Sequence, residues 1–367
     1  MADSLKLIEV FYDDHAVGRL ALTPDRLAAF EYDNGWLRTG FSISPFYLPL
    51  KPGVMLARPT PFEGLFGVFA DSLPDGWGRL LTDRWLKTQG TDPNSLSQLD
   101  RLALVGDGGM GALTYRPNRN PGRGELRHPL QQVAEMAAGV LEREESPIPD
   151  ELMKLAGSSG GARPKVLVSI DGAEWLIKFR ASIDPKQVGE IEYRYAGLAK
   201  QCGIEMPETR LFEGSLFGVK RFDRNAGGRV HMHSSAGLLY ADHRLPSLDY
   251  TGLMKATMAL TRDINETARM FRLMVFNVKI GNKDDHAKNF SFIHDGARWK
   301  LSPAYDLLPS RGLGGQHTTT VAGNGNPSMA DCLEVARLTG FPMKRATDII
   351  EEVEEVLIKG FALIKGL

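Results

Sequence analysis

The residues with the clearest chemical potential are Asp284, Asn289 and Asp306. Asp284-Asp285-His286-Ala287-Lys288-Asn289 has the form D-x-x-x-x-N, and Trp299-Lys300-Leu301-Ser302-Pro303-Ala304-Tyr305-Asp306 follows it. That spacing can set a carboxylate beside an attacking hydroxyl and an amide oxygen on a magnesium ion, as phosphoryl transfer requires. Asp306 stands where a second, metal-holding carboxylate belongs. Mg²⁺ takes hard oxygen ligands and keeps several waters, so one carboxylate, one amide oxygen and nucleotide phosphates suffice to hold it. Alone, an Asn-Lys-Asp-Asp run is more often a polar turn, since Asn and Asp bond their own backbone. The neighbouring elements raise the functional reading.

Ala268, Phe271, Met274, Val275 and Val278 recur at helical spacing, which predicts a helix from Asp263 to Val278. Asp263 or Asn265 offers the N-cap and Gly281 the stop. After the acidic loop, 289–293 and 298–301 flank His294-Asp295-Gly296-Ala297, the signal of a hairpin with a D-G turn. Buried helix, acidic loop, hairpin and acidic residue therefore follow in an order that can bring three oxygen ligands to one end of rigid elements.

Upstream, Gly157-Ser158-Ser159-Gly160-Gly161-Ala162-Arg163-Pro164-Lys165 precedes two strand-like runs, 166–170 and 175–179, joined at Asp171-Gly172. Glycines in such a loop let backbone N–H groups approach phosphate without a Cβ in the way. Lys178 is expected mid-strand in an apolar setting, where a charge is costly unless an anion meets it. Nucleotide phosphates would do so, as would Glu190 or Glu192 on a helix predicted from Val188 to Gln201. The plainer readings are a flexible connection for the glycines and a snorkelling lysine at 178. The order of the parts favours the kinase reading over both.

With 367 residues and 43% hydrophobic content, the chain has material for two or three domains and a substantial core. A net charge of −1 gives no bulk attraction to nucleic acid. The start lacks a basic region leading into an apolar run, and no stretch of about 18 apolar residues occurs, so the expectation is a cytoplasmic protein without a membrane partner. Cys202 and Cys332 read as packing residues. Residues 5–12 and 17–23 read as a hairpin, 41–50 as further strand material, and 77–86 and 129–143 as helices. The run from Arg116 to Arg127 reads as an exposed connection. His231 and His233, with His243 and His286, make a weak metal pattern and are assigned to polar loops, His286 to holding its own loop. Met254, Met258, Met270 and Met274 are assigned to the core, and Glu351-Glu352-Val353-Glu354-Glu355 to the wet face of a terminal helix.

The chain resembles the HipA family of bacterial serine/threonine kinases, the toxins of HipA–HipB-type toxin–antitoxin pairs. The resemblance spans nearly the whole chain. It rests on Gly281 to Ser291, Leu301 to Asp306, Val219-Lys-Arg-Phe-Asp-Arg224, Gly157 to Lys165, and Leu73-Pro-Asp-Gly-Trp-Gly78. It implies a two-lobed, protein-kinase-like α+β fold: an N-terminal subdomain over 1–120, a nucleotide lobe with Gly-rich loop and hinge over 121–224, and a helical lobe over 225–367.

The same resemblance implies ATP and Mg²⁺ as cofactors, Asp284 as catalytic base, and Asn289 and Asp306 as metal ligands. Lys178 looks like the phosphate lysine, with Ser159, Gly160 and Gly161 in the loop over the phosphates. Phe222 and the backbone of Lys220 look like the adenine-reading hinge, and Asp223 like a ribose contact. Ser158 fits the autophosphorylated serine best, with Ser159 as competitor; phosphate there would add about two negative charges beside the γ-phosphate site. Implied partners are a translation protein as substrate, an aminoacyl-tRNA synthetase among the candidates, and a HipB-like helix-turn-helix antitoxin through which DNA is met indirectly. Leu307-Leu308 follows the metal aspartate where protein kinases carry Phe-Gly, so regulation by an activation-loop flip of the protein-kinase type is not to be assumed. Two rival readings are a small-molecule kinase of the same fold and a catalytically silent co-repressor.

Overall fold

Apolar–polar alternation near the start folds into the expected hairpin. Strand β1 (Leu7–Tyr12) pairs antiparallel with β2 (His15–Leu22). A five-stranded sheet of order β4-β3-β2-β1-β5 forms when β3 (Ala28–Tyr32), β4 (Met55–Leu56) and β5 (Leu113–Arg116) join them. Ile8, Val10, Val17, Leu20 and Phe30 are fully buried on its core face, against Phe69 and Leu102. The strand material expected at 41–50 is not a strand. Pro45 interrupts the donors there, and only a single bridge joins Ser44 to Leu48. The hydroxyls of Tyr32 and Ser42 both donate to the Leu48 carbonyl at 2.7 Å and fix a turn instead.

The computed structural model describes residues 4–122, 124–142, 148–156, 160–226 and 228–364. The chain forms two compact units: Met1–Gly189 with Arg210–His233, and Glu190–Thr209 with Ser234–Leu367. The second unit thus takes most of the helix Val188–Gln201, and its longer segment starts at Ser234.

In the first unit a second sheet has the order β6-β7-β9-β8, with β6 (Lys165–Ile170), β7 (Ala173–Lys178), β8 (Thr209–Phe212) and β9 (Leu216–Lys220). Val166, Val168, Trp175 and Ile177 point into a core shared with the helices Gly76–Thr88 and Leu130–Glu142, through Trp77, Leu81 and Val133. Strand alternation sends Lys165 and Lys178 to the opposite face, where they are direct cross-strand partners. Lys178 ends its strand rather than sitting in the middle of it.

Asp223 ties this sheet to the loop before β5. It is 1% exposed and accepts from Gly111 N at 2.7 Å, from Arg221 Nε at 2.9 Å and Nη2 at 2.7 Å, and from Arg224 Nη1 at 2.9 Å. Burial alone would raise its pKa. The Arg221 charge and hydrogen bonds, then Arg224 and the Gly111 N–H, outweigh burial and hold it at about 2.

The second unit is built on the helix Ile264–Ile280, which starts and stops as the sequence predicts. Asp263 accepts from Asn265 N at 2.8 Å, and Gly281 ends the helix in the left-handed region at φ 68°. Its buried face carries Met270, Phe271, Met274, Val275 and Phe276, packed against the helices Tyr250–Thr261, Met329–Thr339 and Met343–Ile364. Met254 joins that core, but Met258 is 36% exposed because it falls off the stripe made by Leu253, Met254 and Thr257. Cys202 and Cys332 are buried thiols; desolvation pushes them up to about 11 and about 12, so both stay protonated. The run Glu351–Glu355 flanks buried Val353, and Glu352 meets Arg272 at 2.5 Å. Among the described residues no helix is long and apolar enough to cross a membrane.

Asp223 has a depressed pKa in the folded chain, so its contribution is complete above the ordinary aspartate value and is lost as pH falls through about 2. Asp223→Asn should therefore cost about 2 kcal/mol at neutral pH, with the deficit shrinking below about pH 4. Chemical denaturation of both proteins across that range measures it.

Candidate active site

The three residues singled out by spacing all lie in the second unit and all reach solvent: Asp284 and Asp306 are exposed and Asn289 is half-buried. Between them the chain behaves differently. Asp285 is fully buried and accepts four hydrogen bonds: Tyr250 Oη at 3.0 Å and His317 Nδ1 at 2.9 Å on one carboxylate oxygen, Thr318 N at 2.9 Å and Thr319 N at 3.2 Å on the other. Thr319 Oγ1 also donates to the Asp285 carbonyl at 2.5 Å. Burial and the Asp285 charge push the Tyr250 hydroxyl well above its ordinary value, which keeps it a donor.

The bonds run on without a break. Asn277 Nδ2 donates to Tyr250 Oη at 3.0 Å, and Asn282 Nδ2 donates both to Asn277 Oδ1 at 3.1 Å and to the Asp306 carbonyl at 3.2 Å. Asn277 and Asn282 are 1% and 2% exposed, so breaking this chain would strand buried polar groups. The network connects the residue beside Asp284 to the backbone of Asp306. Asp306 itself sits at φ 56°, a left-handed conformation that aspartate tolerates better than most residues.

Asn289 ends the short 3-10 turn Ala287–Asn289, capped by His286 Nδ1, which accepts from Lys288 N at 3.2 Å. His286 thus holds its loop, as expected. Asn289 Nδ2 donates to the Asp284 carbonyl at 2.7 Å, which uses one of the two amide hydrogens and fixes the orientation of the amide. Tyr305, next to Asp306, donates to the Lys288 carbonyl at 2.7 Å and shares a short hydrogen bond with Ser291 Oγ. The hairpin is as predicted: Ser291–His294 pairs with Trp299–Leu301 across Asp295-Gly296.

In the first unit, Lys178 Nζ lies 5.7 Å from the centre of the Phe217 ring and Lys165 Nζ donates to the Gly160 carbonyl. Gly160 and Gly161 are exposed, Lys220 is exposed at the end of β9, and Phe222 is half-buried. Asp223 is placed differently from the expectation: its oxygens are buried on arginines and on Gly111 N, which leaves no accessible oxygen for a ribose. Ser158 and Ser159 lie outside the described residues. Glu192 is the buried one of the two glutamates on the helix Val188–Gln201. His231 Nε2 donates to the Ile43 carbonyl at 2.8 Å, while His233 bonds Ser44 Oγ at 3.0 Å and Asp71 at 2.7 Å.

The sequence reading missed Asp285, since two adjacent aspartates look alike until burial separates them. It also missed Lys165, whose cross-strand register with Lys178 could have been read from the Asp171-Gly172 turn.

Residues 157–360 match the HipA-like C-terminal domain model and residues 8–116 the HipA N-terminal domain model. A presumptive kinase of Sinorhizobium fredii (strain NGR234), Y4dM, is 25% identical over 303 residues, covering 74% of this chain and 72% of its own. A second from the same organism, Y4mE, is 27% identical over 340 residues, covering 83% and 77%. A chain from the Shewanella oneidensis MR-1 complex of HipA, HipB and operator DNA has a TM-score of 0.72 at 19% identity, over 97% of this chain and 90% of that one. The fold is the two-lobed, kinase-like α+β architecture, with a strand-rich first unit and a mainly helical second.

Removing the Asp285 carboxylate leaves four donors unmet in a dry site. Asp285→Ala is expected to lower stability by about 3 kcal/mol or more, well beyond the cost of an exposed aspartate. Asp284→Ala, a substitution at an exposed position, should fall within about 0.5 kcal/mol of the parent in the same thermal unfolding measurement.

Proposed function

Since the chain belongs to the HipA family, we propose that it is an ATP-dependent kinase of protein serine or threonine hydroxyls, acting as the toxin of a toxin–antitoxin pair. The observation that carries this reading is the network through Asp285, which ties an exposed carboxylate at 284, an amide at 289 and a carboxylate at 306 into one framework.

The donor chemistry fits Mg²⁺: Asn289 Oδ1 and the Asp306 carboxylate are hard oxygens, on a half-buried and an exposed residue. Mg²⁺ bound there would offset charge on the phosphates of ATP. Within the first unit, Gly160, Gly161 and Lys178 would take nucleotide phosphates, and Phe222 with the Lys220 backbone would take adenine. In the reaction the acceptor oxygen bonds to the γ-phosphorus, the bond to the bridging oxygen breaks, and ADP leaves. Asp284 takes the hydroxyl proton. Most of the rate comes from positioning and preset charge, and a framework with few unsatisfied groups suits that demand.

The toxin role follows the family. The related S. oneidensis structure contains HipB and operator DNA; a HipB-like antitoxin is the corresponding partner here, with a translation protein such as an aminoacyl-tRNA synthetase as substrate. Autophosphorylation at Ser158, with Ser159 as alternative, belongs to the same reading.

Incubation with Mg-ATP followed by intact-protein and peptide mass spectrometry tests it. One phosphate on the 157–165 segment is expected, abolished by chelation of Mg²⁺ and slowed at least about a thousandfold in Asp284→Ala. ATP turnover on a sugar or antibiotic with no protein phosphorylation would transfer the site to a small-molecule kinase. Growth inhibition that survives Asp306→Ala would make the chain a silent co-repressor.

A further inference from the structure

The segment Leu73-Pro-Asp-Gly-Trp-Gly78 has no role in the chemistry above, yet it makes specific contacts with the glycine loop. Gly161 N donates to Asp75 Oδ1. The Trp77 backbone N–H donates back to the Gly161 carbonyl at 3.0 Å, and Trp77 Nε1 donates to the Lys165 carbonyl at 3.0 Å. Lys165 closes the ring by donating through Nζ to the Gly160 carbonyl.

The fit leaves no room for a side chain at Gly76. Its φ is +41°, and an added Cβ would stand 2.5 Å from the Gly161 carbonyl oxygen and 2.8 Å from Ala162 Cα, a backbone collision that cannot be relieved by a rotamer. Trp77 is 1% exposed in the core beneath β6 and β7, so the clamp rests on rigid material. All of this lies within the first unit.

We propose that Asp75, Gly76 and Trp77 form a positioning clamp that holds Gly160 and Gly161 in the conformation that receives nucleotide phosphates. The clamp touches the loop and not the nucleotide, so these are positioning residues. The inference rests on the nucleotide role assigned above to the glycine loop. Its physical logic is preorganisation: a glycine loop that must be ordered when phosphate arrives loses affinity, whereas one already tied at both a donor and an acceptor does not. Asp75 contributes a charge-assisted bond, the stronger kind, to a backbone N–H that would otherwise wander.

Asp75→Ala in the full chain is the test, read against the parent for binding of Mg-ATP and of adenosine. The clamp predicts that ATP binding weakens about tenfold while adenosine binding stays within twofold, because only phosphates meet the loop. Equal losses for both ligands would mean general damage and overturn it, as would no loss for either. Should the parent bind no ATP, the kinase reading fails on its own. The clamp is then decided by amide hydrogen exchange, which should quicken at 160–162 in Asp75→Ala and in Gly76→Ala; unchanged exchange there would refute it.

Discussion

A buried carboxylate that must be fully satisfied is the constraint on which the second unit depends. Asp285 is fully buried, so its carboxylate must be satisfied by Tyr250, His317, Thr318 and Thr319. Those residues come from a helix start and from the segment after Asp306, so satisfying one carboxylate fixes three stretches of chain against each other. Asp284 and Asp306 inherit their positions from that arrangement. Exposed acidic groups hold a fixed geometry poorly by themselves, and here each is placed by a buried neighbour or by its own backbone.

The first unit follows the same rule with different parts. Asp223, buried between two arginines and a backbone N–H, sits beside half-buried Phe222 and close to exposed Lys220. In both units the residue that reaches outward is adjacent in sequence to one that is locked inward. That pairing explains why short acidic motifs are dense in carboxylates of which only some can do chemistry.

Much of this was legible beforehand. The helix Ile264–Ile280, its Asp263 cap, its Gly281 stop and the Asp295-Gly296 hairpin follow from local periodicity and turn chemistry, which act within a few residues. So did the helix Val188–Gln201. The misses share a different cause. Asp285 finds Tyr250 35 residues away and His317 32 residues away, and Asp223 finds Gly111 112 residues away, partners that no local pattern announces. The turn at 41–50 was misread because its apolar residues look like a strand while Pro45 and two hydroxyls on one carbonyl impose something else. Lys178 was expected in the middle of its strand and ends it instead, and its pairing with Lys165 needed the strand register.

The most direct test of the central claim is a crystal structure with Mg²⁺ and a non-hydrolysable ATP analogue. The network account predicts metal on Asn289 Oδ1 and the Asp306 carboxylate, with Asp285 still buried and still bonded to Tyr250 and His317. A metal held by other groups, or Asp285 turned out to meet it, would contradict the account.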